Sequence, residues 1–149
     1  MTTIILLALA GAVIAAVVGT FWYMPNTPMG KIHMKYLGFD KLSKEEQDRK
    51  IAEAKPHMWK TYLAQIVLSF LTAFATVFII IMSMRNGVTL SLSLGFVALN
   101  WLCFVVPTVG SAILWGNCDP KLAWKKFFSD SLSVLVTLVL VALLASLFV

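Results

Sequence analysis

The sequence predicts an all-α integral membrane fold, a four-helix bundle with a short helical loop on the cytoplasmic side. Three observations predict it. The 149 residues are 60% hydrophobic and 13% charged, with mean hydropathy +0.88, whereas a soluble domain carries about 25% charged residues. Four apolar runs, at about 3–24, 61–84, 90–114 and 127–149, are each long enough for a helix to cross a hydrocarbon core of about 30 Å. Lysine and arginine are shared unevenly between the connectors: eight in 25–60, three in 115–126, and Arg85 alone in the turn between. The positive-inside rule then places both long loops in the cytoplasm and both termini outside, as expected for a bacterial cytoplasmic membrane.

The first run carries no charge from Thr3 to Met24. Met1-Thr2-Thr3 lacks the positive segment that opens a secretory signal, so the run is expected to be a retained span. Ala8, Gly11, Ala12, Ala15 and Gly19 recur three or four apart and form a ridge that another helix can approach closely. The span ends where the chain leaves the bilayer. Trp22 and Tyr23 suit the headgroup level, Pro25 and Pro28 forbid a continued helix, and Lys31 after Gly30 is the first charge.

Between Met29 and Leu37, Lys31 and Lys35 alternate with Met29, Ile32 and Tyr36, the pattern of a short helix lying in the interface, with Gly38 as a left-handed stop. Ser43-Lys44-Glu45-Glu46 matches a capping box, so a helix is expected from Ser43, supported by Glu45–Arg49 and Glu46–Lys50 pairs. It is expected to stop near Ala54, with Pro56 opening the next helix. His57, Trp59 and Tyr62 then form an interfacial collar. Along the second span Gln65, Ser69, Thr72 and Thr76 share one helical face, expected to turn toward protein and bond between helices.

A turn at Arg85–Thr89 makes spans two and three an antiparallel hairpin. Pro107 predicts a kink in span three, and Asn100, near the bilayer centre, needs a partner, for which Gln65 or the Thr72 face are candidates. Trp115 and Trp124 bracket the third loop as interface anchors, and Asp119-Pro120 reads as the start of a helix that continues into span four. Asp130, the only charge of that span, lies one turn from Lys126 and is expected to pair with it at the membrane border. The chain stops within the apolar run, which places the C-terminus at the far surface.

The formal net charge of +5 sits in loops beside apolar runs, which points to anionic lipid headgroups and not to nucleic acid. Gly-rich phosphate loops, His-x-x-x-His, Cys-x-x-Cys and Gly-x-Ser-x-Gly do not occur, so neither cofactor nor metal is expected. Cys103 and Cys118 have no metal-ligand spacing and are expected as free thiols. His33 and His57 lie 24 residues apart without a local carboxylate pattern, which argues for interface residues over catalysis.

Thr20-Phe21-Trp22-Tyr23-Met24-Pro25, followed by Met29-Gly30-Lys31-Ile32-His33-Met34 in a four-span chain of this length, resembles the bacterial membrane-protein family known as domain of unknown function 1761. In that family a Trp-Tyr-x-Pro element ends the first span and a Gly-Lys element opens the cytoplasmic loop. The resemblance covers essentially the whole chain and implies a topology, but no catalytic residue. Leu114-Trp115-Gly116-Asn117-Cys118 departs from the acidic, Phe-containing turn of the family. The candidate functional or packing residues are therefore Trp22, Tyr23, Pro25, Gly30, Lys31, Gln65, Asn100 and Asp130. An accessory or structural membrane component, as a homo-oligomer or with a membrane partner, is the leading expectation; a small oligomeric transporter or channel is second and a lipid-active enzyme third.

Overall fold

The computed structural model describes residues 1–116 and 119–149; Asn117 and Cys118, and with them the expected thiol of Cys118, lie outside the described residues. Six α-helices follow one another, with no strand among the described residues: α1 (Thr2–Trp22), α2 (Pro28–Tyr36), α3 (Lys44–Arg85), α4 (Leu90–Asn100), α5 (Val106–Leu114) and α6 (Pro120–Ser146). A π-helical stretch, Trp101–Val105, joins α4 to α5. Thr2–Trp22, Lys44–Arg85, Leu90–Ile113 and Pro120–Ser146 are each long and apolar enough to cross a membrane.

Helix α1 contains neither proline nor charge to interrupt it, and Tyr23 ends it just before Pro25. It buries Ile4, Leu7, Ala8, Gly11 and Ala12. The small-residue ridge works over its first half. A Cβ on Gly11 would lie 2.7 Å from that of Ala73 and 3.2 Å from Val141, so α1, α3 and α6 meet closely there. Gly19 has nothing within 4 Å of such a Cβ, and the contact has ended by that level. Around the crossing, Val77, Ile80, Ile81, Val97, Leu138, Val141, Ala142 and Ala145 complete the core. Their outward neighbours, such as Val13, Phe21, Leu68 and Phe104, are exposed apolar side chains, as lipid permits.

The greatest departure from expectation is α3. The capping box forms as predicted: the Ser43 amide donates to Glu46 Oε2 (2.8 Å) and the Glu46 amide to Ser43 Oγ (3.3 Å). The Ser43 amide and hydroxyl hold the Glu46 carboxyl below the usual range and occupy it; the ion pair that forms is Arg49–Glu53 at 3.9 Å, in place of the expected Glu45–Arg49 and Glu46–Lys50 pairs. The helix does not stop near Ala54. It runs on through Pro56 for 42 residues, about 63 Å at 1.5 Å per residue. Pro56 is exposed, so water can take the carbonyl freed four residues earlier, which makes an unbroken helix tolerable. Only the far end of α3 joins the core, through Ala73, Thr76, Val77, Ile80 and Ile81.

Gly87, with φ +81°, supports the turn into α4, where Thr89 caps by accepting from the Leu92 amide. The irregularity expected at Pro107 takes the form of the π-helical stretch just before it, in which the Val106 amide reaches the Trp101 carbonyl. A wider register there accommodates the donor that proline lacks. Trp101 Nε1 donates to the Ser131 carbonyl at 2.8 Å and ties this stretch to α6. Helix α6 starts at Asp119-Pro120 as the sequence indicates, with Asp119 Oδ2 accepting from the Leu122 amide at 3.0 Å.

Candidate functional site

The turn after α1 is built around one hydroxyl. Thr27 Oγ1 accepts from the Gly30 amide (2.9 Å), capping α2, and its proton faces the carbonyls of Trp22 (2.8 Å) and Met24 (2.9 Å). Pro28 occupies the first turn of α2, where its missing N–H does no harm. Pro25 is exposed in the turn. Gly30 lies against the preceding chain: a Cβ there would be 1.8 Å from the Met24 carbonyl oxygen and 2.9 Å from that of Tyr23. Only glycine lets α2 fold back at this distance. Gly38, at φ +73°, then stops α2 in the left-handed conformation expected of it.

This fold-back sets the end of α1, and α2, against the start of α6. Trp22 Nε1 donates to Ser129 Oγ at 3.2 Å. The Tyr23 hydroxyl donates to Asp130 Oδ1 at 2.7 Å, while Lys126 donates to Asp130 Oδ2. The Lys126 side chain is 7% exposed and that of Asp130 20%, so this ion pair lies inside the protein. The ammonium also stands over the rings of Tyr23 (5.2 Å) and Tyr36 (5.6 Å), which share its charge. A buried cation and carboxylate are tolerated because each finds several partners.

His33 closes the cluster. Its ring centroid is 4.9 Å from that of Tyr23, and its buried Nδ1 has no hydrogen-bond partner. Burial draws its pKa below the ordinary 6.5, the Lys126 charge adds to this, and Asp130 opposes it. The unfolded chain therefore takes up a proton first as the pH falls. Stability is expected to be full above about pH 6.5 and to drop as the pH passes down through the depressed folded value. Unfolding in mild detergent between about pH 5 and pH 8 checks this, and His33→Gln should flatten the acid limb; a limb unchanged by that substitution would assign it to another group.

Of the sequence candidates, Trp22, Tyr23 and Asp130 meet in this cluster, and Gly30 makes it possible. Lys31 lines a neighbouring lysine-rich cleft. Gln65 and Asn100 do not pair. Gln65 is exposed and donates to Ser69 at 3.3 Å, and Thr72 and Thr76 bond the carbonyls of Leu68 and Thr72 on their own helix. The expected bonding between helices along that face is thus replaced by bonding within α3, both at exposed Gln65 and Thr72 and at buried Thr76. Asn100 instead lines a cavity of about 200 Å³ with Thr72, Thr76 and Val97. His57 lies on the exposed part of α3, apart from the cluster that holds His33. The sequence pairs Lys126 with Asp130 and singles out Tyr23 at the headgroup level, but it does not bring the Tyr23 and Tyr36 rings to that pair. The signal was a carboxylate in an apolar run with more acceptor capacity than one lysine uses.

A family model described as "Protein of unknown function (DUF1761)" matches residues 6–146. No curated protein and no solved structure matches the chain.

Proposed function

The chain belongs to the DUF1761 family, and from that premise we propose that it serves as an accessory or structural component of a cytoplasmic membrane, assembled with copies of itself or a membrane partner. The carrying observation is that the polar groups at the end of α1 and the start of α6 bind one another: Trp22 with Ser129, and Tyr23 and Lys126 with Asp130. Such mutual satisfaction suits a lock between spans. Assembly is supported by the stripe Gln65, Ser69 and Thr72, left outside the core on a helix that the other spans cover only at its far end. The lysine-rich loops 25–60 and 115–126 are proposed to face the cytoplasm, with Arg85 and both termini opposite.

Native mass in mild detergent tests the assembly: a fixed multiple of the 16.5 kDa chain, or a stoichiometric complex, is expected, and a lone chain would overturn it. Threading is tested with Lys44→Cys in a Cys103→Ser/Cys118→Ser background. An impermeant maleimide should label the thiol only after cells are opened. Labelling of intact cells would reverse the orientation.

One observation favours a transporter as the second reading. The π-helical stretch adjoins Asn100 and the cavity of about 200 Å³ that it shares with Thr72 and Thr76. On this reading proteoliposomes conduct protons or small solutes, and Asn100→Leu lowers the flux at least about tenfold. Equal flux with and without the amide removes it.

A further inference from the structure

We infer that the cleft between α2 and the first turns of α6 binds the phosphate of an anionic lipid headgroup. The inference deepens the proposed membrane role and rests on its placing this end of the bundle at a lipid surface. Lys31 and Lys35 of α2 and Lys41 of the 3-10 turn Phe39–Lys41 line one side; Lys121 and Lys125 of α6 line the other, around a cavity of about 570 Å³. Two carboxylates, Asp40 and Asp119, also border it, leaving a local charge of +3. Asp119 accepts from the Leu122 amide as the cap of α6. The ion pairs Arg49–Glu53 and Lys126–Asp130 lie outside this cleft. Five ammonium groups converging on one cavity repel each other, and a phosphate between them replaces repulsion by charge-assisted hydrogen bonds.

The surroundings point to a lipid as the source of that phosphate. On the same turns of α6, Trp124 is 50% and Phe128 63% exposed, with their rings stacked at 5.9 Å. Ile32 and Leu122 add apolar surface to the cleft itself. A ligand charged at one end and apolar at the other meets both surfaces, whereas a free phosphate uses only the lysines. The cleft is also connected to the buried cluster. Tyr36 lines it, and the ring of Tyr36 lies under the Lys126 ammonium.

Native mass spectrometry of the full chain tests the site, with phosphatidylglycerol or phosphatidylcholine added to the detergent-purified protein. One phosphatidylglycerol per chain is expected to be retained in preference to phosphatidylcholine. Lys35→Gln with Lys121→Gln, on opposite sides of the cleft, should weaken retention about thirtyfold, equivalent to about 2 kcal/mol at about 1 kcal/mol per lysine. Lys50→Gln with Lys55→Gln, equal in charge but on α3, should weaken it less than about threefold. All four lysines are exposed, and an unchanged unfolding midpoint verifies that the variants fold. Equal losses in the two double variants, or no preference between the lipids, would overturn the site. Displacement by millimolar glycerol phosphate or inorganic phosphate would assign the cleft to a soluble phosphate and overturn the lipid. Because the readout needs neither orientation nor assembly, its failure is distinct from a failed threading or native-mass result.

Discussion

Replacing Asp130 by alanine is expected to destabilise the protein by about 3–5 kcal/mol, since it leaves the Lys126 ammonium buried without its counter-charge. The Lys126 side chain is only 7% exposed, so water cannot readily take the place of the carboxylate. Tyr23 would lose its acceptor at the same time, because its hydroxyl donates to the same group at 2.7 Å. Tyr23→Phe alone should cost about 1.5–3 kcal/mol, the range for a hydrogen bond to a charged partner. A double variant, Lys126→Met with Asp130→Leu, should recover most of the loss, because apolar side chains of similar volume need no solvation to replace. Unfolding by a denaturing detergent, followed by tryptophan fluorescence, measures all three. If Asp130→Ala costs no more than Tyr23→Phe, the ammonium is solvated in the native state and the lock is weaker than the geometry implies.

Gly30→Ala should be the next most damaging change, at about 3 kcal/mol or more, the upper end of the range for overpacking. The obstacle to its Cβ is the Met24 carbonyl oxygen at 1.8 Å, a backbone atom that cannot rotate aside as a flexible side chain can. The turn from Tyr23 to Thr27 would have to open, removing the Thr27 cap of α2 and drawing Tyr23 and His33 away from α6. Limited proteolysis should then cut near Pro25 and Pro28 faster than in the parent chain. Gly19→Ala is the matched control. Nothing lies within 4 Å of its Cβ, so it should be neutral or stabilising by up to about 1 kcal/mol through helix propensity. Equal sensitivity of both positions would sink the close-approach account of Gly30.

Local features were legible without the structure. The four spans follow from apolar length, the Ser43 and Asp119 caps from side chains that accept amides three residues on, and the Gly38 stop from a left-handed φ. The Lys126–Asp130 pair follows from i,i+4 spacing. Errors arose where the local rule omitted the environment. Pro56 stops a helix in a packed interior, yet at an exposed position its freed carbonyl meets water, and α3 continues. The Gln65 to Thr76 stripe predicts partners on other helices, yet it bonds within its own.

What the amino acids determined unaided was therefore carried by neighbours along the chain: span number, most helix ends, and the lysines gathered in two connectors. The tertiary structure alone decided that Tyr23 meets an acidic residue 107 positions away, that Gly30 touches the Met24 backbone, and that five lysines from two connectors face a single cleft. The physical reason is that helical periodicity records which side of a helix is apolar. It does not record the rotation and height at which two helices cross. Those are set by close packing of small residues such as Gly11 against Ala73, and the buried polar groups then bond whatever partner that packing brings within reach.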